Sequence, residues 1–91
     1  MGRGSVETVI AEYDPEAKAT YVALNDRRVD GTVGVTDLVM VDVDATGEPV
    51  GVEFAMQPDR INDDVLLPLV ARFPGLRALA DDRSWLLIST A

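Results

Sequence analysis

Five residues between Asp42 and Glu53 have the types and spacing that could hold a divalent cation. In DVDATGEPVGVE, residues Asp42, Asp44, Thr46, Gly47 and Glu53 fall at positions 1, 3, 5, 6 and 12 of a calcium loop of the helix–loop–helix kind. The chemistry would be coordination by carboxylate and hydroxyl oxygens. Such a loop needs six or seven oxygens within about 2.3–2.6 Å of one ion, and flanking helices that bend the loop around it. The flanks here, Leu38–Asp44 and Val50–Met56, alternate apolar and polar residues instead. Period two belongs to a strand. Setting Val43 opposite Val50 puts Asp42 opposite Gly51 and Met40 opposite Glu53. Glu53 is then diagonal to Asp42 at ~7–8 Å, and Asp42 is ~6.6 Å from Asp44 along its strand. Three carboxylates so spread on one face do not wrap an ion. The expectation is a hairpin: Gly47 supplies a positive φ, Asp44 or Thr46 bonds loop amides, and Asp42 and Glu53 face solvent. Asp42, Asp44 and Glu53 stay candidate cation ligands, and no metal or cofactor is assigned.

Other chemistry finds less support. Asp14 and Glu16 could form an acid–base couple, but such a couple needs environments that push two pKa values apart. Both sit in a Pro turn, where solvation is expected. The chain has no histidine and no cysteine, so imidazole and thiolate chemistry and disulfides are absent. Its serines and threonines have no histidine to activate them. The single lysine, Lys18, lies in the same turn. No Gly-rich loop leads from a strand into a helix to cradle phosphate, and Arg27-Arg28 is too small for a nucleic-acid footprint. No catalytic residue is expected.

The totals agree. Ninety-one residues make one domain, 47% of them apolar, with a net charge of −8 from sixteen acids against eight Lys and Arg. A core of this size is marginal alone, and pairing with a second copy would strengthen it. The acidic balance opposes binding to nucleic-acid phosphates, favours solubility and suits a basic protein partner. No apolar run approaches the ~18 residues of a membrane span, and the first residues lack the apolar core of a signal peptide. A cytoplasmic protein is the expectation.

The elements that must position these residues read as an α+β fold, a small antiparallel sheet of about five strands followed by one or two helices. Residues 6–56 form the sheet region and residues 62–91 a helical extension. Val6–Tyr13 and Ala19–Asp26 read as strands joined by the turn DPEAK. Thr20, Val22 and Leu24 share one face of the second; Tyr21, Ala23 and Asn25 share the other. Val29–Val35 is a weaker strand whose Gly31 and Gly34 suggest a bulge or a close backbone approach. Leu38–Asp44 and Val50–Met56 form the hairpin described above, with Val39, Val41 and Val43 matched to Val50, Val52 and Phe54. QPDRINDD reads as polar turn material whose Asp63 and Asp64 suit capping a helix and its positive N-terminal end. Leu66, Leu69, Val70 and Phe73 lie on one helical stripe. Pro68 fits only if it stays in the first turn, and Phe73-Pro74-Gly75 stops the helix. A second short helix spans Leu76–Ala80, and SWLLIST reads as either a strand or a packed tail. Trp85 and Phe73 are candidates for core or interface.

YDPEAKATYVALND and VMVDVDATGEPVGVEF together resemble a small bacterial family known as domain of unknown function 2283. The residues that carry the resemblance are Tyr13, Asp14, Pro15, Glu16, Ala17, Tyr21, Leu24, Asp26, Val41, Asp42, Asp44, Gly47, Val50, Gly51 and Glu53. It spans about Glu12 to Met56. Thr20, Ala23 and Thr46 depart from it. The resemblance implies a compact β-rich domain with no established activity and no catalytic residues. Some members are encoded beside toxin-like proteins, which implies an antitoxin or partner-binding role. The expected function is therefore a non-enzymatic interaction module working as a homodimer with a basic partner; the alternative is a cation or small-ligand binder using the acidic hairpin face.

Overall fold

The computed structural model describes residues 9–86. Five antiparallel strands form one sheet: β1 (Ile10–Asp14), β2 (Ala19–Ala23), β3 (Gly31–Thr36), β4 (Val39–Val43) and β5 (Pro49–Phe54). Their spatial order is β1-β2-β5-β4-β3, so the last strand in sequence lies in the middle of the sheet. Helices α1 (Asp63–Arg72) and α2 (Arg77–Asp81) follow, with short 3₁₀ turns at Pro58–Arg60, Pro74–Leu76 and Ser84–Leu86. The α+β architecture expected from the strand and helix periods is the one observed.

One face of the sheet is valine-rich because alternate residues point to it. Val22, Val39, Val41, Val43, Val50, Val52 and Phe54 are buried there. The helical segment covers this face with Ile61, Leu66, Leu69, Leu76, Leu79 and Trp85. Helix α1 packs against β3 and the Ser84–Leu86 turn against β1, so the cover spans the sheet from edge to edge. Each fully buried Val, Leu or Phe contributes about 1.5–3 kcal/mol relative to exposure. Thr20 is the buried polar residue of this layer, and its hydroxyl donates to the Met56 carbonyl at 2.8 Å. The stripe of Leu66 and Leu69 thus covers its own sheet. Trp85 belongs to the core, stacked on Phe54 at 5.8 Å between centroids with its indole N–H donating to the Leu79 carbonyl.

Local details depart from expectation: β2 ends at Ala23 rather than Asp26, and β3 runs from Gly31 to Thr36 rather than from Val29 to Val35. Met40 does pair with Glu53 and Asp42 with Gly51, but Val43 pairs with Pro49 and not Val50, because the register shifts between Asp42 and Val43. Val50 is the extra residue, and it stays buried with Val52, two positions along the same face. Helix α1 is capped by Asn62, whose side chain accepts from the Val65 amide. Asp63 and Asp64 occupy its first turn, where their negative charge is stabilised by the positive end of the helix dipole. Pro68 is the sixth residue of α1, beyond the first turn. The carbonyl it leaves without a donor is that of Asp64, on the exposed first turn, where water can serve it. The second helix starts at Arg77, after a 3₁₀ turn led by Pro74. Of SWLLIST, Ser84–Leu86 forms a 3₁₀ turn; residues 87–91 lie outside the described residues, as do residues 6–8 of the expected first strand.

Candidate functional site

The helical segment leaves the opposite face of the sheet uncovered, and Glu12, Asp42 and Glu53 lie on it. Glu12 on β1, Tyr21 on β2, Glu53 on β5 and Met40 on β4 form one row across the strands. Ile10, Ala23, Gly51, Asp42 and Thr32 form the next, reaching β3. Pleating places both rows on the outer face because their neighbours in each strand point to the core.

Tyr21 and Asp42 are joined across β5. The Tyr21 hydroxyl donates to Asp42 Oδ2 at 3.0 Å, and the Thr32 hydroxyl donates to Asp42 Oδ1 at 2.9 Å. One carboxylate therefore ties β2, β4 and β3 together over the outer face. The Tyr21 ring passes directly above Gly51, which opens the route by having no side chain. Burial, foremost, then the hydrogen bond to Asp42 and the charges of Asp42 and Glu53, push the Tyr21 phenol up to about 12. The phenol consequently remains a donor at neutral pH.

Asp44 is equally committed. Its Oδ1 accepts the amides of Thr46 and Glu48 and the Thr46 hydroxyl, at 2.9, 3.0 and 2.6 Å. Its Oδ2 pairs with Arg27 Nε at 3.1 Å. Gly47 sits at φ 88°, the left-handed conformation expected of it. The Thr46 hydroxyl bond first, then the two amides and Arg27, hold the Asp44 carboxyl below its usual range. Asp42 and Asp44 thus spend their oxygens on protein donors, each on a different job. Among the described residues, no three His, Cys, Asp or Glu side chains are grouped so as to hold a metal ion. The spacing of the calcium loop is present and its convergence is not.

A second acidic feature was not legible from spacing. Beside Tyr21 the outer face opens into a concavity of about 640 Å³ whose lining includes Glu12, Asp14, Tyr21 and Glu53. Sequence reasoning placed Asp14 and Glu16 together; the structure brings Asp14 instead near Glu12 and Glu53. Asp14 also holds the β1–β2 turn by accepting the Glu16 and Ala17 amides. Glu16 is exposed in the turn. The sequence signal for this grouping is the strand register, which puts Glu12 and Glu53 on either side of Tyr21.

Fold and site together define a small α+β sheet domain with one face sealed by helices and the other acidic and open. Over residues 11–55, just under half of the chain, it matches the family described as protein of unknown function (DUF2283). The resemblance read over about Glu12 to Met56 is thereby supported, and the match runs from Ala11 in β1 through β5 and stops short of the helices. Neither a curated protein nor a solved structure matches the chain. Among the described residues no helix is long and apolar enough to cross a membrane.

Proposed function

We propose that this chain is a non-enzymatic protein-interaction module whose uncovered sheet face engages a basic partner, in an antitoxin-like role in the bacterial cytoplasm, working as a homodimer. One observation carries the reading. The outer face presents Glu12, Asp14, Asp42 and Glu53 from three strands, and its strand positions hold no Lys or Arg. A field of one sign over a broad open surface raises association rates with partners of the opposite sign. The absence of histidine and cysteine, and the commitment of Asp42 and Asp44 to structural bonds, support binding over catalysis.

The test is copurification at low salt from the native cell, with a Glu12→Lys/Glu53→Lys variant alongside. Recovery of a basic protein by the native chain and its loss from the charge-reversed variant is the expected result. Recovery of nothing at low salt, or equal recovery by both chains, would overturn it.

A further inference from the structure

One strip of this acidic molecule is without charge. β3 is an edge strand, and among the described residues its main chain bonds only to β4. An edge strand presents amides and carbonyls that a second strand can pair with, and proteins ordinarily blunt such edges with charge or Pro. The other edge, β1, carries Glu12 and Asp14. From Gly31 to Thr36, β3 carries only Gly, Thr and Val; its register against β4 shifts between Gly34 and Thr36, which leaves Gly31–Gly34 as the regular part of the edge. Four large apolar side chains are exposed among the described residues, and three of them lie by this edge. Val29 precedes β3, Leu38 follows it, and Leu67 rides on α1, which packs against β3. The strip is flanked by Arg28 and Asp30 before it and by Asp37 after it.

We infer that β3 is the self-association edge: two copies pair β3 to β3, antiparallel, into a continuous sheet twice the width of the five-stranded one. This rests on the homodimer reading above and names its interface. Antiparallel pairing about a two-fold axis at Val33 keeps inward residues opposite inward ones from Gly31 to Val35. Thr32 then faces Gly34 of the second copy, Gly31 faces Val35, and Asp30 faces the Thr36 hydroxyl. Beyond the strand, Arg28 and Val29 of each copy approach the Asp37–Leu38 turn of the other, which brings Arg28 towards Asp37. The exposed Val29 and Leu38 side chains become near neighbours across the junction. The charge of −8 on each copy resists approach elsewhere, which makes the uncharged strip the favoured seam for a second copy.

The chain has no cysteine, so introduced ones report position cleanly. Sedimentation equilibrium of the full chain should give twice its 9.8 kDa. Thr32→Cys mixed with Gly34→Cys should yield an oxidised cross-linked dimer, whereas Ile10→Cys on β1 should not. Gly34→Lys should weaken self-association roughly tenfold by setting lysines beside the axis in both copies. Position 34 is open and outside the left-handed region, so the fold accommodates the side chain; circular dichroism checks this, and the cysteine pair stands if it fails. A chain that stays monomeric at every concentration overturns the homodimer reading and the interface with it. A dimer that cross-links through Ile10→Cys and not through positions 32 and 34 leaves self-association standing and overturns the β3 interface.

Discussion

The Tyr21 hydroxyl occupies the space that a Cβ at position 51 would need. Gly51 lies opposite both Ala23 and Asp42, and Tyr21 crosses it diagonally to reach the Asp42 carboxylate. A methyl group there would push the ring aside and break its bond to a charged acceptor. Such bonds contribute about 1.5–3 kcal/mol, and overpacking costs about 1–3 kcal/mol. Gly51→Ala should therefore lower stability by roughly 2–3 kcal/mol in urea unfolding. In a Tyr21→Ala background the same substitution should cost far less, since the obstruction is gone. Equal costs in both backgrounds would refute the contact.

Tyr21 also predicts a loss of stability in alkali. Its folded phenol is pushed up from 10.0 to about 12. Between those values the folded chain keeps a proton that the unfolded chain has released, so stability falls as pH rises. The contribution is fully present below about 10 and gone once pH passes about 12. Unfolding free energies of the native chain should decline across that window, and those of Tyr21→Phe should decline less. Parallel profiles would count against the raised phenol.

The β4–β5 hairpin depends on Asp44 as acceptor and on Gly47 for its φ of 88°. Asp44→Ala removes the loop acceptor and the Arg27 pair together, whereas Asp44→Asn retains an oxygen for the amides. The melting midpoint should fall further for Ala than for Asn. Gly47→Ala should cost about 1 kcal/mol, since an L side chain resists that conformation. The Asp44 carboxyl is held below its usual range, so its stabilisation is present above the unfolded value and lost as pH falls through the folded one. Asp44→Asn should flatten the acid side of the stability profile. Millimolar calcium should leave the native midpoint where a chelator leaves it, because the oxygens of Asp42 and Asp44 are already bonded; a clear rise would reinstate the cation site.

The hairpin was legible in the sequence because period two is a property of consecutive residues, and Val39–Val43 and Val50–Phe54 each display it. The Met40–Glu53 and Asp42–Gly51 pairs followed from it directly. The Tyr21–Asp42 bond was not legible, since it joins β2 to β4 across a strand that arrives later in the chain. No local pattern states that β5 inserts between them. The N-cap was misplaced by one residue because Asn62, Asp63 and Asp64 all have capping side chains, and only backbone geometry decides which of them is extended. Pro68 was expected in the first turn because proline costs least there; the structure places it one turn deeper, beneath a solvent-exposed carbonyl.

Trp85 is the anchor by which the helical segment holds the sheet. It is 7% exposed, stacks on Phe54 and donates to Leu79 O at 2.9 Å, which joins α2, the final 3₁₀ turn and β5 at one point. Trp85→Ala should cost about 3–5 kcal/mol through the cavity and the unmet carbonyl. Trp85→Phe keeps an aromatic ring against Phe54 but supplies no donor, so a loss of about 1–3 kcal/mol is expected. As the chain has a single tryptophan, its fluorescence reports this contact alone. Emission should shift in the same denaturant transition that circular dichroism records for the sheet, because one core joins the two layers. An earlier, separate fluorescence transition would mean that the helical cover leaves the sheet before the sheet unfolds.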